Sequence, residues 1–150
     1  MTQVQAPERR RTLLHPGLIA SGATLLIATF VSDVLYWQTL LFQWNNVSEW
    51  LLAAGLVLAA FAAVAFIIDL ALRRVWKIDW LRFAGLTIAV LLSLLNAFVH
   101  SRDAYTAVVP EGIILSGIVT LILIVVGIGG GWSLASRRIY PIRQIREVRP

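Results

Sequence analysis

The residues of this chain best able to do chemistry are crowded into one stretch. NAFVHSRDAYTAVVPEG, from Asn96 to Gly112, follows the apolar run TIAVLLSLL and places an amide, an imidazole, a guanidinium and a carboxylate within eight positions. Asn96, His100 and Asp103 are spaced i, i+4, i+7, which puts them on one helix face if the helix continues through the start of the loop. Asp33, near the end of the first apolar segment, comes out at the same level, and so does Glu111 just after Pro110. Pro110 suits the first turn of a helix, and an acid there favours the positive dipole end. Ionisable residues inside membrane segments face the bundle interior and mark function by default. Asp33, Asn96, His100, Arg102, Asp103 and Glu111 are therefore the candidate ligand-binding cluster. For Arg102, Asp103 and Glu111 the plainer reading is a solvated, ion-paired helix end.

A smaller set lies at the opposite end. His15 and Pro16 open the first apolar segment, and Asp69 has Arg73 as its i+4 neighbour. Asp79 and Arg82 begin the third segment. The plain reading ties helix ends together at the headgroups; a buried His15–Asp69 pair is the alternative. Haem is the sharp hypothesis for two histidines in such a bundle. His15 starts the first segment and His100 ends the third, parallel, segment, so about 30 Å of hydrocarbon separates them and one iron cannot take both. No cofactor is expected; a single-His haem, or one shared between two chains, is the alternative. Zinc at His100 with Asp33, Asp103 or Glu111 uses known ligand types, but one histidine with scattered acids has no metal-site spacing. No metal is assigned. The chain has no cysteine, which removes disulfides and thiolate chemistry. Ser93 and Ser101 lie near His100 without a motif around them, so no catalytic residue is assigned.

These groups need elements to hold them, and composition says which. Of 150 residues, 59% are hydrophobic and 14% charged, against about 25% charged in a soluble domain. Lipid is the expected solvent. Four segments, at about 16–37, 50–72, 80–99 and 112–135, reach the roughly 20 residues a spanning helix needs. None alternates with period two, which argues against a barrel. The expected fold is an all-α, integral membrane four-helix bundle over 13–136, between basic tails at 1–12 and 137–150. The first segment has basic residues before it but no small-residue cleavage site after it, so it reads as a retained span rather than a signal peptide.

Twelve of the 13 basic residues flank one side of these spans, leaving Arg102 alone on the other. The positive-inside rule then places both termini in the cytoplasm. The net charge of +5 is explained by the membrane surface, not nucleic acid. Trp37, Trp44, Trp50, Trp76, Trp80 and Trp132 fall near span ends, as interfacial aromatic belts do. Small residues recur at Gly55, Ala59 and Ala63, and at Gly112, Ser116, Thr120, Gly127 and Gly131. Such stripes pack helices within a bundle or form a homodimer seam. GIGGG at 127–131 lacks the preceding strand and the following Lys-Ser/Thr of a phosphate loop.

His15-Pro16, an apolar helix ending with Asp33, N-x-x-x-H-x-R-D-A-Y at Asn96 to Tyr105 and then Val-Val-Pro-Glu-Gly together resemble a bacterial four-helix membrane family, catalogued as domain of unknown function 2231. The resemblance runs from about Leu13 to Leu134. It implies an inner-membrane protein and supplies no catalytic residues. Some relatives are joined to, or near, c-type cytochrome or sugar-dehydrogenase modules, which implies redox company. Two functions are expected from these readings. The first is a non-catalytic anchor or accessory subunit with a polar ligand- or partner-binding pocket at the periplasmic face. The other is a redox or quinone-handling component using His100 and Asp33 for protons, with a periplasmic redox or dehydrogenase partner.

Overall fold

The computed structural model describes residues 13, 15–102, 108–129 and 131–137, without the side chains of 76 and 135–137. The order is α1 (His15–Thr39), α2 (Phe42–Ala71), β1 (Val75–Ile78), α3 (Trp80–His100), α4 (Ile113–Ile128) and β2 (Ala135–Arg137). An irregular turn, Val108–Gly112, leads into α4, with Val109 extended at φ −120° and ψ 123°. Four helical stretches, counting this turn with α4, are long and apolar enough to cross a membrane. The all-α, four-helix architecture is the one composition predicts.

Each helix buries a narrow stripe and turns large apolar side chains outwards. Leu81, Phe98, Leu121, Val125, Ile67 and Phe61 are all exposed. In water this surface would be an aggregation hazard; in lipid it is the solvent-facing side. Close approach of α1 and α2 rests on glycine. Gly22 and Gly55 face each other, and a Cβ on Gly55 would fall 2.7 Å from Leu26 Cδ2. Part of the Gly55–Ala59–Ala63 stripe is thus spent inside the bundle, while Ala63 itself is exposed.

Two boundaries differ from the apolar pattern. The stretch from Gln38 to Glu49 reads as a loop because it is polar, yet α2 starts at Phe42 and only Leu40 and Leu41 connect it to α1. Leu40 makes the turn in the left-handed region, at φ 54°. Two polar contacts hold the added turns: Ser32 Oγ donates to the Trp44 carbonyl at 2.9 Å, and Ser48 Oγ donates to Asp33 Oδ1. Tertiary hydrogen bonds override the polar composition here. At the other end, the expected fourth span to 135 stops at Ile128. Gly131, at φ 81°, turns the chain back, and residues 135–137 pair antiparallel with β1. Trp132 is consequently packed against Gly127 and the core.

A candidate polar site at the loop end of the bundle

The bundle interior changes character along its length. The end that holds the connections 40–41 and 101–112 is lined by buried polar residues from every helix. They are Thr29, Ser32 and Asp33 on α1, Asn45 and Ser48 on α2, Ser93, Asn96 and His100 on α3, and Ser116 and Thr120 on α4. A layer of Ala23, Leu26, Leu52, Ala89, Val119 and Leu123 follows. Beyond it a second apolar cluster of Ile19, Ala62, Phe66, Val75 and Leu134 fills the opposite end, which holds the start of α1 and the β1–β2 ladder.

Asp33 is the centre of the polar half. It sits six residues before the end of α1, ~9 Å along the axis, and is fully buried. Its Oδ1 meets His100 Nε2 at 3.2 Å and accepts a short hydrogen bond from Ser48 Oγ. Its Oδ2 accepts from Ser116 Oγ at 2.7 Å. All four helices therefore meet at one carboxylate, which satisfies the rule that a buried charge be paired and hydrogen-bonded.

The other imidazole nitrogen fixes the proton count. His100 Nδ1 lies 3.0 Å from the Asn96 carbonyl, which can only accept, so Nδ1 carries hydrogen. In a neutral imidazole Nε2 would then be a bare acceptor facing a carboxylate oxygen. The 3.2 Å contact needs one proton, held either as imidazolium–carboxylate or as imidazole–carboxylic acid. Both forms leave the pair with zero net charge.

Of the residues expected in this cluster, Asp33 and His100 are in contact and Asn96 lies one turn away on the His100 face. Asn96 is buried, and its side-chain oxygen has no partner among the described residues. Arg102 and Glu111 meet each other at 3.6 Å on the surface, both more than 60% exposed, and contribute nothing to the buried pair. Asp103 lies outside the described residues. Among the described residues no group of three or more His, Cys, Asp or Glu side chains gathers as a metal ion would require. Ser48 and Ser116 were hidden from sequence reasoning. One sits in a stretch that reads as loop and the other in a stripe that reads as packing. The signal that could have found Ser116 is its place among the interior residues of the fourth span.

The terminal end holds a second histidine–aspartate pair. His15 Nδ1 donates to Asp69 Oδ2 at 2.8 Å, both fully buried, and the His15 ring stands perpendicular to Phe66. His15 Nε2 accepts from the Leu134 N–H at 3.1 Å. Arg74 reaches Asp69 Oδ1 at 3.4 Å, while Arg73 forms the left-handed turn after α2 at φ 51°. Asp79 caps α3 through the Arg82 N–H, and its own N–H donates to the Leu134 carbonyl at 2.9 Å. The Arg82 guanidinium reaches the Gly129 carbonyl at 2.8 Å, a cation at the C-terminus of α4 where the helix dipole favours one. All of these contacts tie helix ends together; the buried His15–Asp69 pair does so from inside the bundle.

Helix length, lipid-facing apolar surface and interior polar residues define a multi-pass membrane bundle. The chain belongs to the family described as "Predicted membrane protein (DUF2231)", whose model matches residues 11–140. No curated protein and no solved structure matches it.

Proposed function

We propose that the chain is a non-catalytic anchor or accessory protein of the bacterial inner membrane, with both termini cytoplasmic and a polar binding site at the periplasmic end. The observation that carries the site is the meeting of four helices on Asp33 and His100. A charge at this depth is costly, and a bundle needing only to pack would bury leucine there. The site binds a small hydrogen-bonding ligand or the loop of a partner. Asp33→Asn and His100→Gln test it: each destabilises the bundle, and the double variant loses less than their sum. Additive losses would remove the site. Orientation rests on the 12-to-1 split of basic residues. A cysteine at Gln43 labels from the periplasmic side and one at Gln144 does not; the reverse pattern inverts the topology.

A second reading, redox or quinone handling with His100 and Asp33 as the proton carrier, is favoured by the single proton their contact requires. Oxidised and reduced ultraviolet–visible spectra of the purified protein separate the two, since only the redox reading expects a bound chromophore. No haem ligated by both His15 and His100 forms within one chain. A Soret band lost equally in His15→Ala and His100→Ala, in a protein shown to be monomeric, would overturn that.

A further inference from the structure

The stretch that follows α4 is a strap. Residues 131–137 turn back at Gly131 and reach the starts of α1 and α3. Arg82 Nη1 donates to the Ser133 carbonyl at 3.3 Å, and the Asp79 N–H donates to the Leu134 carbonyl at 2.9 Å. β2 pairs with β1, and the Leu134 side chain is buried in the cluster of Ile19 and Phe66. The other polar group of the Leu134 backbone, its N–H, donates to His15 Nε2 at 3.1 Å. This bond differs from the rest in its acceptor, an imidazole, the side-chain type that changes charge between about pH 5 and 8.

Both ring nitrogens of His15 are committed. Nδ1 holds the ring hydrogen and donates it to Asp69 Oδ2 at 2.8 Å, which leaves Nε2 as a bare acceptor for Leu134. A second proton has only Nε2 to go to. There it would set a ring N–H against a backbone N–H, two donors facing across 3.1 Å. His15 is fully buried, and a buried donor left without an acceptor is costly. Proton uptake at His15 and closure of the strap therefore exclude each other. The charged neighbours do not alter this. From α2, Asp69 faces the ring; Arg74, just past that helix, faces Asp69 at 3.4 Å, and Arg73 beside it is exposed. None of these belongs to the strap, so they act alike on its open and closed states. From α3, Asp79 and Arg82 hold the strap itself. Lys77 on β1 is exposed, and α4 carries no ionisable side chain.

We propose that residues 131–137 form a proton-released latch, closed by the bond from Leu134 to an uncharged His15 and opened when His15 takes up a second proton. The open latch binds one more proton than the closed one. Closure is therefore complete in alkali and is lost as the pH falls. The strap joins the bundle to the basic tail that follows residue 137, so the latch sets how firmly the stem of that tail is held. It needs no ligand, and it stands apart from the Asp33–His100 site at the other end of the bundle.

The test is amide hydrogen exchange on the full chain in lipid nanodiscs, each rate divided by the intrinsic rate at its pH. Protection at Leu134 and Asp79 is expected to fall about tenfold between pH 8 and pH 5, as for one buried hydrogen bond lost. Amides in the middle of α3 and α4 are expected to hold. His15→Gln supplies an acceptor and a donor that do not titrate, and its Leu134 protection is expected to be the same at both pH values. Equal protection of the parent at both pH values overturns the proposal. So does the same fall in His15→Gln, or a fall shared with the amides in the middle of the helices. Should His15→Gln fail to fold, nitrogen NMR of the histidine-labelled parent decides. His15 Nε2 is expected to gain its hydrogen over the interval in which Leu134 loses protection. A ring that gains it while Leu134 stays protected overturns the proposal.

Discussion

Two buried histidine–aspartate contacts sit at opposite ends of the same bundle, and they differ in what faces the second imidazole nitrogen. At His15 that nitrogen meets a backbone N–H, so the ring must accept there and its one proton goes to Asp69. At His100 it meets a carbonyl, so the ring must donate there and a further proton is needed between Nε2 and Asp33. Identical residue pairs thus hold different numbers of protons because of single backbone groups 3.0 and 3.1 Å away. The terminal pair is a fastener whose residual carboxylate charge is met by Arg74. Among the described residues the loop pair meets no second basic group, and its other partners are hydroxyls that can rotate.

The comparison is broken most severely by His100→Ala. Asp33 then keeps Ser48 and Ser116 but loses its basic partner, and an expected ~3–5 kcal/mol of stability is lost, as when one member of a buried pair is removed. Denaturant titration in detergent measures it, and a loss under about 1 kcal/mol would place Asp33 in contact with water. His15→Ala is expected to cost less, ~2–3 kcal/mol, because Arg74 still meets Asp69 and the main loss is hydrogen bonds to a charged group. In the same variant the Leu134 N–H loses its acceptor, so amide exchange at Leu134 accelerates.

The two ends should also be independent. The double variant His15→Ala/His100→Ala is expected to lose the sum of the single losses within about 0.5 kcal/mol, since the sites share no partner. Larger coupling would mean that the apolar layer of Ala23, Leu26, Ala89 and Leu123 transmits strain between them. The smallest effect is expected at Arg102→Ala, within about 0.5 kcal/mol of the parent, because its contact with Glu111 is on the surface.

What the sequence discloses follows from which forces are local. Span number and the polar character of Asp33, Asn96 and His100 are properties of runs and spacings, and they are legible. The Asp33–His100 contact could be framed from levels along the spans. That Ser48 and Ser116 complete it could not, because their roles depend on rotation of α2 and α4 about their axes, which packing at Gly22, Gly55 and Gly85 sets. The early start of α2 was illegible for a related reason: Trp44, Asn45 and Ser48 read as loop until their partners on α1 are known. The β1–β2 ladder was hidden because WSLAS continues an apolar run, and only the turn at Gly131 diverts it.

Leu134 has a consequence for the order in which the bundle can be made. Its N–H goes to His15 and its carbonyl to the N–H of Asp79, so one residue late in the chain closes the first helix and the third. The span from His15 to Leu134 is 119 residues. Among the described residues no earlier one supplies that N–H, so until Leu134 is made the imidazole acceptor of the first helix lacks this donor. The contact at His15 can therefore form only once Leu134, which follows the fourth span, has been made. A chain arrested before Leu134 would carry its spans but lack this fastening, and the exposed His15 ring would mark it as unfinished.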